Sequence, residues 1–482
     1  MNTPMQTLQN ISLGVILHVV LLLATVPRIL RIKRNASVAI AWLLFVFLTP
    51  VVGTMAFWSI GDPSLRRSIR RVIHGPPLHR VMSPYARQEI GSPRLQRILR
   101  RLHETPTTTG NRVDFFTDAG VFFRRLEDDL RAARHEICFQ FYIFRDDKYG
   151  RRFARILCAQ ARRGVDVYFL YDAIGSKKLP DSFLRRLRKS GVHCHPFLPF
   201  LPLRRRFQIN FRNHRKLVII DRQVAYTGGV NVGREYAGED PQIGPWFDAQ
   251  LRVAGPAVPQ LLDEFAADWV FASETSRSPF DAEPAWLREP CGAISADPAQ
   301  RGAVQTVSSG PDQPINRMHS MMFEVITSAR RRLWIASPYL VPDEAMNAAL
   351  LNAAYAGVDV RILMQGDHPD QWIPWLAANY FAAPLIEAGV RVYRYQRGMM
   401  HAKMVLADDD FATVGSANLD VRSLALNFEL NMVLYSQHEI GEVEALFRSA
   451  FTQSRELGEE FVQRKWYRRL HENFCRLFAP VL

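Results

Sequence analysis

The chain has 482 residues, with 61 Lys or Arg against 47 Asp or Glu and a net charge of +14. That length holds two or three domain-sized units, and the basic excess points to an anionic partner, a membrane surface or nucleic acid. Five cysteines, an odd number, match neither a metal-site spacing nor a disulfide framework, so they read as reduced and structural.

At the amino terminus, residues 11–27 carry no charged side chain, and residues 36–60 form a second, longer charge-free stretch. Roughly 20 apolar residues cross a bilayer, so residues 1–65 are expected to form a two-helix transmembrane hairpin. A cleaved signal peptide fits less well, because the first stretch lacks a basic leader and an obvious small-residue cleavage site. Charge does not orient the hairpin. Arg28, Arg31, Lys33 and Arg34 follow the first stretch and Arg66, Arg67, Arg70 and Arg71 the second, and a hairpin puts those groups on opposite sides.

A basic linker, 66–110, leads into a pattern that occurs twice. An apolar strand (Ile137 to Phe144; Leu333 to Ser337) precedes an amphipathic segment (Phe153 to Ala161; Ala345 to Ala356). Gly164-Val165-Asp166-Val167 recurs as Gly357-Val358-Asp359-Val360, and Gly191-Val192 as Gly389-Val390. Each half reads strand–helix–strand–helix–strand, an α/β arrangement, over 111–271 and 315–460. Residues 272–314, rich in Ser, Pro and Gly, read as the connector. Just after it, Met318, Met321, Met322, Val325, Ile326 and Ala329 keep the spacing of a core-facing helix.

Two further segments carry two readings each. Pro196 to Leu203 followed by Arg204-Arg205-Arg206 is either a loop dipping among acyl chains or a buried Pro-rich loop beside a solvated charge run. In the tail, 461–482, Trp466, Leu470, Phe474 and Phe478 recur every fourth residue among arginines. That is an interfacial amphipathic helix or a helix capping the core.

The most specific signal is His-x-Lys-x4-Asp-x6-Gly-[Gly/Ser]-x-Asn, present twice. Its members are His214, Lys216, Asp221, Gly228, Gly229 and Asn231, then His401, Lys403, Asp408, Gly415, Ser416 and Asn418. Only 8 lysines accompany 53 arginines, yet two of the 8 stand in these matched contexts. Residues i and i+2 of a strand share a face, so each His and Lys should project together, ahead of the buried strands Leu217 to Ile220 and Met404 to Ala407. Lysine suits a non-bridging phosphate oxygen, and imidazole can attack phosphorus or protonate a leaving alkoxide. Two such sets facing each other supply a nucleophile, a general acid and two phosphate clamps, with no metal or cofactor required. The motif aspartates are expected to support the site by hydrogen bonding. Gly229 against Ser416 is a small asymmetry, since either residue allows a close backbone approach.

With Tyr142 to Asp147, Tyr171 to Ser176, Pro338 to Glu344 and Leu426 to Glu429, the paired motif resembles the phospholipase D superfamily and, within it, the bacterial cardiolipin synthases. The resemblance implies two tandem repeats forming a pseudo-symmetric bilobal core behind a transmembrane hairpin, in a multi-pass protein of the bacterial inner membrane. It implies transfer of a phosphatidyl group between phosphatidylglycerols through a phosphohistidine, giving cardiolipin and glycerol. His214 and His401 would divide nucleophile and general acid. Lys216, Lys403, Asn231 and Asn418 would bind the phosphoryl oxygens, and Asp248 and Glu429 would support the histidines. The partner is then an anionic phospholipid and no nucleic acid is expected. A hydrolytic phospholipase D, a membrane-tethered nuclease and a phosphatidylethanolamine acceptor stay open.

Overall fold

The computed structural model describes residues 4–32, 36–61, 93–103, 105–198, 211–241, 243–275, 278–280, 284, 286–287, 302–313 and 315–478. The Arg204–Arg206 cluster and most of the basic linker lie outside them. Two compact units divide the chain: residues 1–71 with 200–211, and residues 72–199 with 212–482.

The first unit contains helices Pro4–Ile32, Ala36–Leu48 and Pro50–Ala56 and a π-helical turn, Phe57–Gly61. Ile29, Ala39, Val46 and Phe57 form its small core. The expected transmembrane hairpin, and the multi-pass placement with it, is corrected here. Among the described residues no helix is long and apolar enough to cross a membrane. Pro50 cannot donate a helical hydrogen bond, and it splits the second charge-free stretch. What remains is a helix of 13 residues, about 20 Å against a hydrocarbon layer of about 30 Å. In the first helix the apolar run is bounded by Ser12 and by Pro27 and Arg28, and it contains His18 and Thr25. Freedom from charge is not the same as apolar continuity.

The second unit is a mixed α/β fold. Its first half contributes β1 (Thr108–Phe116), β2 (Glu136–Phe141), β3 (Asp166–Asp172), β4 (His193–Phe197), β5 (Arg212–Asn213), β6 (Leu217–Ile220), β7 (Val224–Gly228), β8 (Trp246–Phe247) and β9 (Gln250–Ala254). The second half contributes β10 (Gly302–Ser309), β11 (Arg332–Ala336), β12 (Leu340–Val341), β13 (Asp359–Met364), β14 (Arg391–Tyr395), β15 (Met399–Met400), β16 (Met404–Ala407), β17 (Phe411–Gly415), β18 (Leu419–Asp420), β19 (Asn427–Leu434) and β20 (Ser454–Glu456). Sixteen of these strands form one sheet, along the path β20-β14-β13-β11-β16-β17-β19-β10-β1-β9-β7-β6-β2-β3-β4, with β5 on the side of β19.

Outward from the central antiparallel pair β1–β10, the two sides match strand for strand. One side runs β9, β7, β6, β2, β3, β4 and the other β19, β17, β16, β11, β13, β14. The repeats thus share a continuous sheet in one compact unit, where the resemblance implies a bilobal core. The central strand β10 lies inside the stretch that reads as a connector, because its flanking Ser, Pro and Gly dominate the composition there.

The repeated Gly-Val pairs end helices. Gly164, Gly191, Gly357 and Gly389 all have φ between 83° and 94°, a conformation that glycine adopts without a Cβ clash. The valine after each is buried and leads into β3, β4, β13 or β14. Each repeat keeps its own apolar core: Phe122, Phe139, Phe153 and Phe169 in the first, and Met318, Met321, Val325 and Ile362 in the second. Burying one such side chain contributes about 1.5–3 kcal/mol.

Asp221 and Asp408 hold these cores together at a distance from the histidines. The Asp221 carboxylate accepts from the amides of Arg134, His135 and Glu136 at 2.9, 2.8 and 2.9 Å. Asp408 does the same for Arg330, Arg331 and Arg332 at 2.9, 2.8 and 2.9 Å. Each tethers the turn entering β2 or β11 to the far end of β6 or β16, roughly 16 Å along the strand from the His-x-Lys pair. Asp221→Ala or Asp408→Ala strips three amides of their acceptor. Stability in denaturant titrations is expected to fall by about 1–3 kcal/mol, with turnover per folded molecule close to that of the parent.

Candidate active site

Strand pairing brings the two motifs together by exchange. β5, just ahead of His214, pairs in parallel with β19, setting Asn213 opposite Phe428, and the His214 amide donates to the Phe428 carbonyl at 2.9 Å. Reciprocally β15, just ahead of His401, pairs with β8, setting Met400 opposite Phe247, and the His401 amide donates to the Phe247 carbonyl at 2.7 Å. The residue after each phenylalanine is an acid, so each histidine meets the acid of the other repeat. His214 Nδ1 lies 3.1 and 3.0 Å from the two Glu429 carboxylate oxygens, and His401 Nδ1 lies 2.7 Å from Asp248 Oδ2. In sequence each acid lies downstream of the histidine of its own repeat; in space the pairs cross.

The His-x-Lys stretches fall in irregular backbone between strands, not within the ladder. The two histidine amides are bonded across the repeats, which takes them off the neighbouring strand. Each lysine ammonium folds back onto its own motif: Lys216 Nζ donates to the His214 carbonyl at 2.6 Å, and Lys403 Nζ donates to the His401 carbonyl. All four side chains are buried. Lys216 interacts electrostatically with Lys403, His214 with Lys403 and His401 with Lys216, so the two motifs share one site.

Burial sets the charge states. It pushes His214 down to about 4, against the pull of Glu429, and His401 down to about 3, with Lys403 adding to the effect. Burial also lowers Lys216 to about 7 and Lys403 to about 8, each opposed by the surrounding carboxylates. For Glu429, burial works the other way, but His214 and Lys216 outweigh it and hold the carboxyl below its ordinary value. At neutral pH both imidazoles are therefore uncharged. An ionised Glu429 can only accept, so Nδ1 of His214 carries the hydrogen and Nε2 keeps a free lone pair. A phosphodiester anion entering beside these groups would favour the charged forms of both lysines and of the imidazole that serves as acid.

The two acids are held differently. Glu429 also accepts from Ser416 Oγ at 2.5 Å and from Asn427 Nδ2 at 3.1 Å. Asp248 instead accepts from the Ala249 amide at 2.8 Å. A Cβ on Gly229 would stand 2.0 Å from Asp248 Oδ1. The shorter aspartate draws its carboxyl against bare backbone, whereas the longer glutamate leaves space for a serine hydroxyl. The Gly229/Ser416 asymmetry is a size match.

Other expected residues are already engaged. Asn231 Oδ1 accepts from the Ile143 amide at 3.0 Å, and Asn418 Nδ2 donates to Asp420 at 3.0 Å. The unpartnered atom of Asn418 is the buried Oδ1, an acceptor that does not suit a phosphate oxygen. Tyr142 stands edge-on to His214 at 4.9 Å, while Trp246 packs against His401 at 5.3 Å. Among the described residues no group of three His, Cys, Asp or Glu side chains is arranged to hold a metal ion.

Arg215, between His214 and Lys216, turns into the protein and is buried. It donates to Asp268 at 2.9 Å, to the Glu429 carbonyl at 3.2 Å and to the Ser309 carbonyl at 3.3 Å. Asp268, on helix Val258–Ser273, also takes Gln140 at 2.7 Å and Asn213 at 2.8 Å. This ion pair clamps motif, acid-bearing strand and helix together. Sequence reading misses it, because Asp268 stands in a largely apolar helix with no motif around it. Tyr142 and Asn427 fall in stretches that support the family resemblance, without a role attached.

Matched repeats, crossed imidazole–carboxyl pairs and two buried lysines define a protein of the phospholipase D type. The family model "Cardiolipin synthase, PLD-like domain" matches residues 126–269 and 322–451. Cardiolipin synthase A of Pseudomonas aeruginosa is 39% identical over 464 residues, covering 93% of this chain and 91% of that protein. The cardiolipin synthase of Halalkalibacterium halodurans is 35% identical over 465 residues, covering 93% and 90%. A crystal structure of phosphatidylserine synthase from Haemophilus influenzae Rd KW20 shares the fold at a TM-score of 0.61 and 15% identity, covering 81% of this chain and 100% of that one. The chain belongs to the cardiolipin synthase family, and its chemistry is phosphatidyl transfer between phospholipids.

Two outcomes test this geometry. An unfolded histidine titrates near 6.5, whereas His214 and His401 take up a proton only near 4 and near 3 in the folded chain. Between those values the unfolded chain binds more protons, so the stability present above pH 6.5 is lost as the pH falls. Calorimetry is expected to show a steeper loss of melting temperature on acidification in the parent than in a His214→Ala/His401→Ala chain. Gly229→Ala should displace Asp248 from His401 and lower turnover on the order of 100-fold, with the circular dichroism spectrum unchanged.

Proposed function

We propose that this protein condenses two phosphatidylglycerol molecules into cardiolipin and releases glycerol, through a phosphohistidine. The observation that carries this reading is the pair of imidazoles, each anchored through Nδ1 by a carboxyl from the opposite repeat, with two buried lysines beside them. Nε2 of one uncharged histidine attacks phosphorus, and the phosphorus–oxygen bond to the headgroup glycerol breaks as the second histidine, which takes up a proton from water when the phosphodiester anion binds, delivers that proton from Nε2 to the leaving oxygen and becomes neutral. The second histidine then takes the proton from a glycerol hydroxyl of the incoming phosphatidylglycerol. That oxygen attacks phosphorus, the phosphorus–nitrogen bond breaks, and the first imidazole returns to its starting form.

Lys216 and Lys403 neutralise the phosphoryl oxygens, as their position beside both histidines permits. Asn231 braces the backbone at Ile143 and Asn418 holds the Asp420 carboxylate, so both act on phosphate through the surrounding structure. Asp221 and Asp408 act through the scaffold alone. Because the substrate resides in a bilayer, the protein works at a membrane. The outward-facing Val15, Ile16, Val20, Leu23, Phe47 and Leu48 of the first unit support that location.

Purified protein given phosphatidylglycerol in mixed micelles is expected to form cardiolipin and glycerol in equal amounts. Either His214→Ala or His401→Ala should lower that rate by on the order of 10⁴-fold. Phosphatidic acid without cardiolipin, resolved by lipid chromatography, would mean that water takes the place of the acceptor alcohol and would defeat this reading.

A further inference from the structure

The helix Trp466–Arg476 lies on helix Trp372–Glu387 with its polar side inward. Glu472 is its one buried residue, 4% exposed, and accepts from Arg464 at 2.6 and 3.1 Å. Cys475, half-buried, packs on Val341 and Ala377, and Arg476 covers the ring of Tyr380 at 4.5 Å. At about 100° per residue, Trp466, Tyr467, Leu470, Phe474, Leu477 and Phe478 fall within an arc of roughly 120°, centred directly opposite Glu472. Those six are 74, 44, 57, 59, 66 and 41% exposed. An amphipathic helix on a globular core normally buries its apolar arc and exposes its polar one. This helix does the reverse.

The flanks above the apolar arc are cationic. Arg468 and Arg469 are exposed on opposite sides of the helix, roughly 120–140° from the centre of the arc, and the single acid of the helix is taken up by Arg464. We propose that this face docks the catalytic unit onto an anionic phospholipid bilayer, with Trp466, Leu470 and Phe474 below the headgroups and the long side chains of Arg468 and Arg469 bending down to lipid phosphates. Tryptophan and tyrosine suit that boundary because one end is apolar and the other polar. Arginine flanking that face suits the negative surface potential. A second copy of the chain is a poor occupant, because it would bring the flanking Arg468 and Arg469 towards their own like charges. The choice of a lipid surface rests on the phosphatidylglycerol reading above, but docking itself can be read without turnover.

The test compares full-length parent and Trp466→Phe on vesicles of phosphatidylglycerol and phosphatidylcholine with brominated acyl chains, which quench tryptophan that reaches them. The parent should lose more emission than the variant on mixed vesicles, and this difference should shrink on pure phosphatidylcholine. A Leu470→Glu/Phe474→Glu chain should make cardiolipin several-fold more slowly on mixed vesicles and at the parental rate in detergent micelles. Equal quenching of parent and Trp466→Phe on mixed vesicles overturns the proposal. Equal quenching together with a dimer that Phe474→Glu disperses would identify the face as a contact between copies. Differential quenching in a chain that makes no cardiolipin would leave docking intact and remove the functional reading.

Discussion

The reciprocal pairing of β5 with β19 and of β15 with β8 is the constraint on which the site depends. A β-ladder fixes which residue stands opposite which, so a parallel pair ending at Phe428 or Phe247 delivers the following acid to the histidine of the other repeat. The imidazoles are therefore positioned by backbone, before any side-chain preference acts. Arg215 reinforces one of the two exchanges by bonding the Glu429 carbonyl and Asp268 together. The bare backbone at Gly229 makes the other possible by leaving room for Asp248.

That arrangement buries an unusual density of charge. Lys216, Lys403, Glu429, Asp248, Arg215 and Asp268 are all almost inaccessible. Desolvating such groups is costly unless each finds a partner, and removing one member of a buried pair typically costs about 3–5 kcal/mol. The sheet and its two apolar cores bear that cost. What the chain gains is an uncharged imidazole beside two lysines whose protons are loosely held. Such a site is electrostatically incomplete until an anion arrives, which is a basis for favouring phosphodiesters over neutral esters.

Much of the topology was readable in the sequence, for identifiable reasons. The repeated Gly-Val pairs mark helix ends that need a positive φ, and the apolar runs before and after them mark the strands. The helix at Met318 was readable because an uninterrupted 3.6-residue period leaves few alternatives. The membrane hairpin was misread because Pro50, Ser12 and His18 break an apolar run without adding charge. Strand β10 was hidden by its Ser- and Gly-rich flanks. The crossing of the acids could not be read at all, because spacing along one repeat says nothing about which repeat supplies the partner. Asp268 was invisible for the same reason, since its role exists only once Arg215, Gln140 and Asn213 arrive from elsewhere in the chain.

Those crossed links also bear on how the molecule assembles. His214 and Glu429 are 215 residues apart in sequence, and Asp248 and His401 are 153 apart. Contacts of such separation are the last to repay their loop-closure entropy, so each half can build its local βα units well before the site exists. During that interval each half carries an unsatisfied β1 or β10 edge, and a second nascent chain offers an equivalent one. Intramolecular closure has to outrun exchange between chains, a race that the tethering of both halves in one chain favours and crowding of nascent chains opposes.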